Sequence, residues 1–175
     1  LANDSISSIN LVSGSAVTDV NFGELAPASI GNFLWVDTNA DGLQNDGSTG
    51  VASRTVTLIS GGADGLLSTT ANNTTSTTTT DSNGIYSFGN LRPGQYQVLF
   101  GDTPSGTVFT TAGVGGDRAV DSNADQGGLS GIVTLVSGEV NNSIDAGIYT
   151  PVSLGDFVWE DANANGLQDG SETGI

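Results

Sequence analysis

The chain has 175 residues, room for one domain of ordinary size with partial neighbours on either side. Nineteen acids face three arginines (Arg54, Arg92 and Arg118), with no Lys and no His, for a net charge of −16. That balance argues against nucleic acid and anionic membrane as partners. The absence of Cys excludes disulfides and thiolate metal sites, and no apolar run is long enough to insert this segment in a membrane.

The chain repeats itself at an offset of 124 residues. Residues 30–51 and 154–175 are identical at 11 of 22 positions without a gap. Leu11-Val-Ser-Gly14 recurs as Leu135-Val-Ser-Gly138. A period of that length is a whole domain, so the chain reads as beads on a string rather than as a solenoid. Residues 1–25 match the tail of a repeat, 26–150 hold a complete one, and 151–175 match the opening of the next. The sequence therefore either belongs to a longer array or is completed by neighbouring copies.

In chain order, residues 6–13 and 16–22 are expected to be two strands around Ser13-Gly14. They correspond to 131–137 and 140–149 around Ser137-Gly138, and each pair resembles a hairpin. Residues 26–29 and 150–153 are short, Pro-containing linkers that limit bending. Residues 30–36 form the first strand of the complete domain, with Trp35 plugging the core near one end. Residues 54–60 form a strand, 61–65 a turn, and part of the Ser/Thr/Asn-rich stretch 68–80 an exposed edge. Asn72, Asn73 and Asn141 open acceptor sequons for glycosylation. Asn83-Gly84 supplies the positive φ of a tight hairpin, and Pro93-Gly94 suits a type II turn. Tyr86, Phe88, Tyr96, Val98 and Phe100 fall at the period-2 spacing of a half-buried face. Another strand covers 107–111, followed by a long Gly/Asp/Asn loop over 113–128. Eight or nine short strands in about 120 residues, with no sustained helical pattern, indicate an all-β sandwich.

The acids cluster in the bends. Asp161, Asn163 and Asn165 occupy positions 1, 3 and 5 of a loop, with Gly166 at 6, the Leu167 carbonyl at 7, Asp169 at 9 and Glu172 at 12. This is the 12-residue spacing of an EF-hand calcium loop. Ca²⁺ takes about six to eight oxygens, and alternate side chains of a tight loop converge on one point. The first copy keeps Asp37, Asn39, Asp41, Gly42 and the Leu43 carbonyl. It has Asn45 at position 9 and Ser48 at 12, where Asp46 or an acid from another loop substitutes. A third loop carries Asp117 and the D-x-N-x-D spacing of Asp121, Asn123 and Asp125, without the Gly. Asp81 and Asn83 are weaker candidates, and Asp145 is either a ligand or a strand cap. Asp, Asn and Gly are also ordinary turn formers. The incoming chain looks like a strand, so the loops are expected without EF-hand helices.

Four motifs in order, 31–44, 80–88, 90–98 and Ile144-Asp-Ala-Gly-Ile-Tyr149, resemble the B-type repeats of serine-aspartate-repeat (SdrD-like) surface adhesins, within the broader collagen-adhesin B-type group. The resemblance spans 30–149 and extends into both partial repeats. It implies a Greek-key, Ig-like β-sandwich in tandem, calcium in the D-x-N-x-D-G loop, export to the cell surface, and duty as a stalk or spacer. Some members of that group crosslink a Lys to an Asn, a device excluded here by the lack of Lys.

A calcium-stiffened structural bead in an extracellular fibre or stalk accounts best for these features, with neighbouring copies of itself, head to tail through shared strands, as partners. An adhesive module binding glycan or host protein is the alternative and would need an exposed aromatic row. An accessory domain of a secreted enzyme is a third. Catalysis by this chain itself has little support, with no His, Cys or Lys.

Overall fold

The computed structural model describes residues 10, 12–18, 23–47 and 49–175. Nine strands are present among them: β1 (Ala28–Val36), β2 (Thr55–Ser60), β3 (Thr74–Thr79), β4 (Ile85–Leu91), β5 (Gly94–Phe100), β6 (Val108–Phe109), β7 (Val133–Leu135), β8 (Val140–Asn141) and β9 (Ala146–Tyr149). Two single 3₁₀ turns, Gly62–Asp64 and Thr70–Asn72, are the helical elements of this region. The all-β expectation is met.

The strands form two sheets. One has the order β4-β1-β9-β6, with β8 also on β1; the other has the order β3-β2-β5-β7. Antiparallel pairs dominate, but β8 and β9 both run parallel to β1. Neither parallel pair can be closed by a tight turn, so the chain leaves and re-enters the sheet through long connections. Alternation places Val56 and Leu58 of β2, Tyr86 and Phe88 of β4, and Tyr96, Val98 and Phe100 of β5 on the inner faces. Ile30, Leu34, Leu135, Ile144 and Ile148 meet them from the other elements. Burial of each such side chain contributes about 1.5–3 kcal/mol. Tyr86 packs edge-on against Phe88 and Phe100 at ring centroid distances of 6.0 and 5.4 Å. Its hydroxyl donates to the Ile144 carbonyl at 2.7 Å, so the one polar atom of that ring is satisfied inside the core.

Several local expectations are corrected by the topology. Residues 131–137 and 140–149 do not form a hairpin: β7 pairs with β5, whereas β8 and β9 pair with β1. The turn at Ser137-Gly138 carries the chain from one sheet to the other. Asn83-Gly84 does the same between β3 and β4, with Gly84 at φ 81° but no hairpin. Gly94 has φ 152°, too extended for the third position of a type II turn; the left-handed residue there is Asn90, at φ 57°. The first strand starts earlier than expected, so Ala28 and Ser29 belong to β1 rather than to a linker. Residues 16–18 are not in a strand, and the remainder of the two N-terminal strands lies outside the described residues.

Trp35 is fully buried, stacked on Phe33 at 6.1 Å with their planes 9° apart. Its ring lies so close to β9 that a Cβ at Gly147 would sit 2.8 Å from it and 2.7 Å from Thr110 Cγ2. Gly147→Ala is therefore expected to cost about 1–3 kcal/mol through overpacking. Urea unfolding followed by Trp fluorescence measures it; a midpoint equal to the parent's would show that the ring can shift freely.

Candidate metal centre

β1 ends at Val36, and the next residue starts the first acidic loop. Asp37 is completely buried. Its Oδ2 accepts from Gly42 N–H at 2.8 Å and its Oδ1 from Asp41 N–H at 3.3 Å. Asn39 Oδ1 accepts from Asp41 N–H at 2.9 Å, and Asp41 Oδ1 from Leu43 N–H at 2.8 Å. Each oxygen-bearing side chain thus holds the backbone two to five residues on, which winds the loop tightly. Ala40 and Gly42 take left-handed φ values of 58° and 81° to permit it. At Gly42 a side chain is excluded, since a Cβ would lie 2.6 Å from the Thr111 carbonyl.

Asp46 closes the loop, its Oδ2 accepting from Thr38 N–H at 2.7 Å. Hydrogen bonds from the Asn45 amide and from Leu43 N–H hold the Asp41 carboxyl below its ordinary range. The Asn39 and Asn45 amides both donate to Asp41 Oδ2, at 3.0 and 2.8 Å. Ser48 lies outside the described residues.

The copy 124 residues on repeats this pattern. Asp161 accepts from Gly166 and Asn165 N–H at 2.8 and 3.1 Å; Asn163 accepts from Asn165 N–H and Asn165 from Leu167 N–H, at 3.0 and 2.7 Å. Ala164 and Gly166 again have positive φ, 55° and 74°. The flanking backbone is also reproduced: Val36 N–H to Thr49 O becomes Glu160 N–H to Thr173 O, and Val51 N–H to Leu34 O becomes Ile175 N–H to Val158 O. Asp169 Oδ2 receives the Asn163 and Asn165 amides. Glu172 Oε1 takes Ala162 N–H at 3.0 Å, the task Asp46 performs in the first copy. A short acid at position 10 and a longer one at position 12 reach the same backbone group.

The third acidic loop does not form a separate cage. Residues 120–122 run antiparallel to 42–44: Gln44 N–H donates to Val120 O and Ser122 N–H to Gly42 O. This pairing leaves the Leu43 carbonyl outside its ladder. It also buries Asp121, whose carboxyl is pushed up by desolvation and by Asp117, against Arg118 and Asn123. Asn123 Oδ1 accepts from Asp145 N–H at 2.7 Å. Asp125 turns the other way, its Oδ1 closing a turn with Gly127 and Leu129 N–H. Asp117 is exposed and accepts from Ala119 N–H.

Asp145 lies between β8 and β9, where the ladder along β1 is interrupted. Its Oδ1 accepts from Phe33 N–H at 3.0 Å, replacing the missing strand partner. Burial pushes its carboxyl up to about 8, opposed by the Phe33 bond and by the Gln44 and Asn32 amides, and reinforced by Asp121. Asp145 Oδ2 and Gln44 Nε2 are nonetheless both buried without a hydrogen bond, so the amide influences the carboxylate without bonding it.

The model of the SdrD B-like domain matches residues 28–148. The chain belongs to the SdrD B-like domain family. It is 42% identical over 158 residues to serine-aspartate repeat-containing protein F of Staphylococcus epidermidis, covering 90% of this chain and 9% of that protein. It is 41% identical over 158 residues to serine-aspartate repeat-containing protein D of Staphylococcus aureus (strain Newman), covering 90% of this chain and 11% of that protein. The chain thus spans about a tenth of the length of these relatives. Among solved structures it is similar to GBS52, the minor pilin of Streptococcus agalactiae, with a TM-score of 0.43 and 13% identity over 75% of this chain and 48% of that one.

In this SdrD B-like domain no three acidic side chains among the described residues form a metal cluster on carboxylates alone. The oxygens on offer are mixed: Asp37, Asn39, Asp41 and Asp46 with the Leu43 carbonyl, and their counterparts in the second loop. Such a set suits a hard cation that accepts carboxylate, amide and carbonyl oxygen. The sequence did not show that Asp145 is buried, nor that Gln44 faces it. The one available signal was an acid inside the apolar run Ile144-Asp-Ala-Gly-Ile.

Asp145 sets a pH dependence. Protonated in the fold up to about 8 but ionised in the unfolded chain above about 4, it favours unfolding increasingly as pH rises through that window. With divalent ions chelated, Asp145→Asn should therefore gain on the parent in melting temperature from pH 5 to pH 8. A difference independent of pH would contradict this assignment.

Proposed function

We propose that the chain is a calcium-stabilised structural repeat of an extracellular, cell-surface stalk or fibre. The observation that carries the reading is the repeated loop. Two stretches 124 residues apart, differing at half their positions, keep the same side-chain oxygens on the same backbone groups. Turn-forming alone does not require that agreement. Asp37, Asn39, Asp41, Asp46 and the Leu43 carbonyl would hold one ion. Asp161, Asn163, Asn165, Asp169, Glu172 and the Leu167 carbonyl would hold another. Asp121 and Asn123 would support the first loop from its flank, whereas Asp117 and Asp125 shape their own turns.

The ion would supply positive charge where a chain of net charge −16 most needs it. Rotation of the Asn45 amide about its terminal bond would turn its oxygen toward the ion, while Asn39 keeps its Oδ1 on Asp41 N–H. The protein's own part is to fix the loop at the end of β1, so that rigidity there reaches the junction between beads. Family membership and the relatives' names support a repeat within a much longer protein. The reading contains no catalytic role.

Strand sharing is the finer form of the proposal. Val152, Leu154 and Val158 are 96%, 105% and 67% exposed, whereas Ala28, Ile30 and Leu34, their counterparts one repeat earlier, are 2%, 0% and 3% exposed. In an array this strand would open the next bead; between separate copies it would dock against a neighbour's N-terminal segment. Open-ended growth follows from such a heterologous contact.

Calcium at about a thousandfold over its Kd would stabilise the fold by about 4 kcal/mol per site. A thermal melt in calcium should therefore lie well above one in EDTA, on the order of 10 °C for a domain of this size. Asp37→Asn should remove most of the shift. Coincident melts would end the calcium assignment. Head-to-tail assembly should appear by light scattering in calcium and vanish on deletion of residues 151–175; a monomer at high concentration would end strand sharing.

A further inference from the structure

β3 is an edge strand. It pairs with β2 through six residue pairs, Thr55↔Thr79 to Ser60↔Thr74, and among the described residues no strand pairs with its other side. Thr80 N–H donates to Arg54 O at 2.9 Å. Alternation from that bond directs the N–H and C=O of Thr74, Ser76 and Thr78 at β2. The bond from Gly101 N–H to Thr55 O, at 2.8 Å, confirms the phase, since it assigns the odd residues of β2 to β5. The backbone groups of Thr75, Thr77 and Thr79 therefore point outward, with no strand among the described residues to receive them.

Edges of this kind are usually blocked by a charge, a proline, a bulge or a covering element. Here none is present among the described residues. Residues 65–80 contain no Asp, Glu, Lys or Arg, in a chain that otherwise carries 19 acids. The strand Thr-Thr-Ser-Thr-Thr-Thr combines high strand propensity with a flat, uncharged border. For a molecule of net charge −16, self-association is tolerable only where acids are absent.

We propose that two copies of this chain pair edge to edge through β3, antiparallel, about a two-fold axis at Thr77. That register sets Thr77 opposite its own copy and Thr75 opposite Thr79 of the second molecule. It brings every outward N–H and C=O of the strand into about six backbone hydrogen bonds. It also sets Asp81 opposite Asn73 of the second molecule, so no acid faces an acid at the strand ends. The contact is isologous and closes as a pair. In a stalk of many repeats it acts laterally, joining one stalk to the next, and many weak contacts add through effective concentration. It is independent of the calcium loops and of the 151–175 segment.

Sedimentation equilibrium of the chain lacking residues 151–175, in EDTA, isolates the contact from strand sharing. A weak dimer with a Kd on the order of a millimolar is expected for so small an interface. Association should strengthen from about 0.05 M to about 0.5 M salt as repulsion between acidic copies is screened. Thr77→Asp, which sets like charges face to face on the axis, should weaken it about tenfold or more, while Thr77→Asn leaves it near the parent value. Thr77→Pro, which removes an outward N–H without breaking the β2 ladder, should do the same as Thr77→Asp. The native chain has no Cys, so Thr77→Cys should form a disulfide dimer on oxidation much faster than Thr69→Cys, because facing Cα atoms in such a pair lie about 5.5 Å apart. Equal crosslinking at the two positions, or association unchanged by Thr77→Asp, would overturn the proposal. So would a parent chain that stays monomeric at several millimolar in high salt.

Discussion

The fold depends on how a buried carboxylate is held at the end of β1. Asp37 has no access to water, and a carboxylate removed from water is costly unless it is hydrogen bonded. Gly42 and Asp41 donate their N–H groups to it, which requires the chain to turn back at once after the strand. That turn positions Gly42 and Gln44 to pair with residues 120–122. The long, irregular segment before β7 is thereby fastened to the first strand. One side chain thus links the local winding of a loop to the closure of the sandwich.

Asp145 completes the same region from the other side. β8 and β9 both lie along β1, and between them the ladder lacks a partner for Phe33 N–H. A side-chain oxygen fills the gap, so β1 keeps its hydrogen bond while the chain bulges away. Apolar burial on one hand and backbone satisfaction on the other place an acid where no cation pairs with it. An unpaired Oδ2 in the interior is the residue of that compromise. Asp37 and Asp121 are buried as well: Asp37 and Asp145 each hold backbone N–H groups, whereas Asp121 accepts from the Asn123 side-chain amide.

The parts legible in the sequence were those set by local chemistry. The loop of Asp37, Asn39, Asp41 and Gly42 could be read because each side chain acts on residues two to five positions away. Its recurrence at Asp161 made the reading specific. The inward face of Tyr86, Phe88, Tyr96, Val98 and Phe100 could be read because alternation is a two-residue property. Which sheet a strand joins is not local. Residues 131–149 carry the signature of a hairpin around Ser137-Gly138, yet the turn passes between sheets, and no periodicity distinguishes the two outcomes. Likewise, Asp121 and Asp125 share the spacing of a cage but diverge, because the chain after Ala124 folds back to pair with Ser130. Strand count and the lack of a helical pattern already indicated the sandwich, and the family resemblance agrees with the family match over residues 28–148.

The two loops also show which feature of the spacing is constrained. Glu172 at position 12 and Asp46 at position 10 differ in side-chain length and in place, yet both accept from the N–H of the residue after the first acid. In the first copy Gly47, at φ 81°, follows Asp46, the shorter acid that reaches this donor. In the second copy Ser171 stands at the Gly47 position, and the longer acid, two loop positions further on than Asp46, reaches the same donor. The constraint is therefore an oxygen delivered to one backbone donor, not an acid at a fixed count. A loop judged by residue spacing alone would score the first copy as degenerate, whereas judged by which N–H groups its oxygens hold it is the same loop.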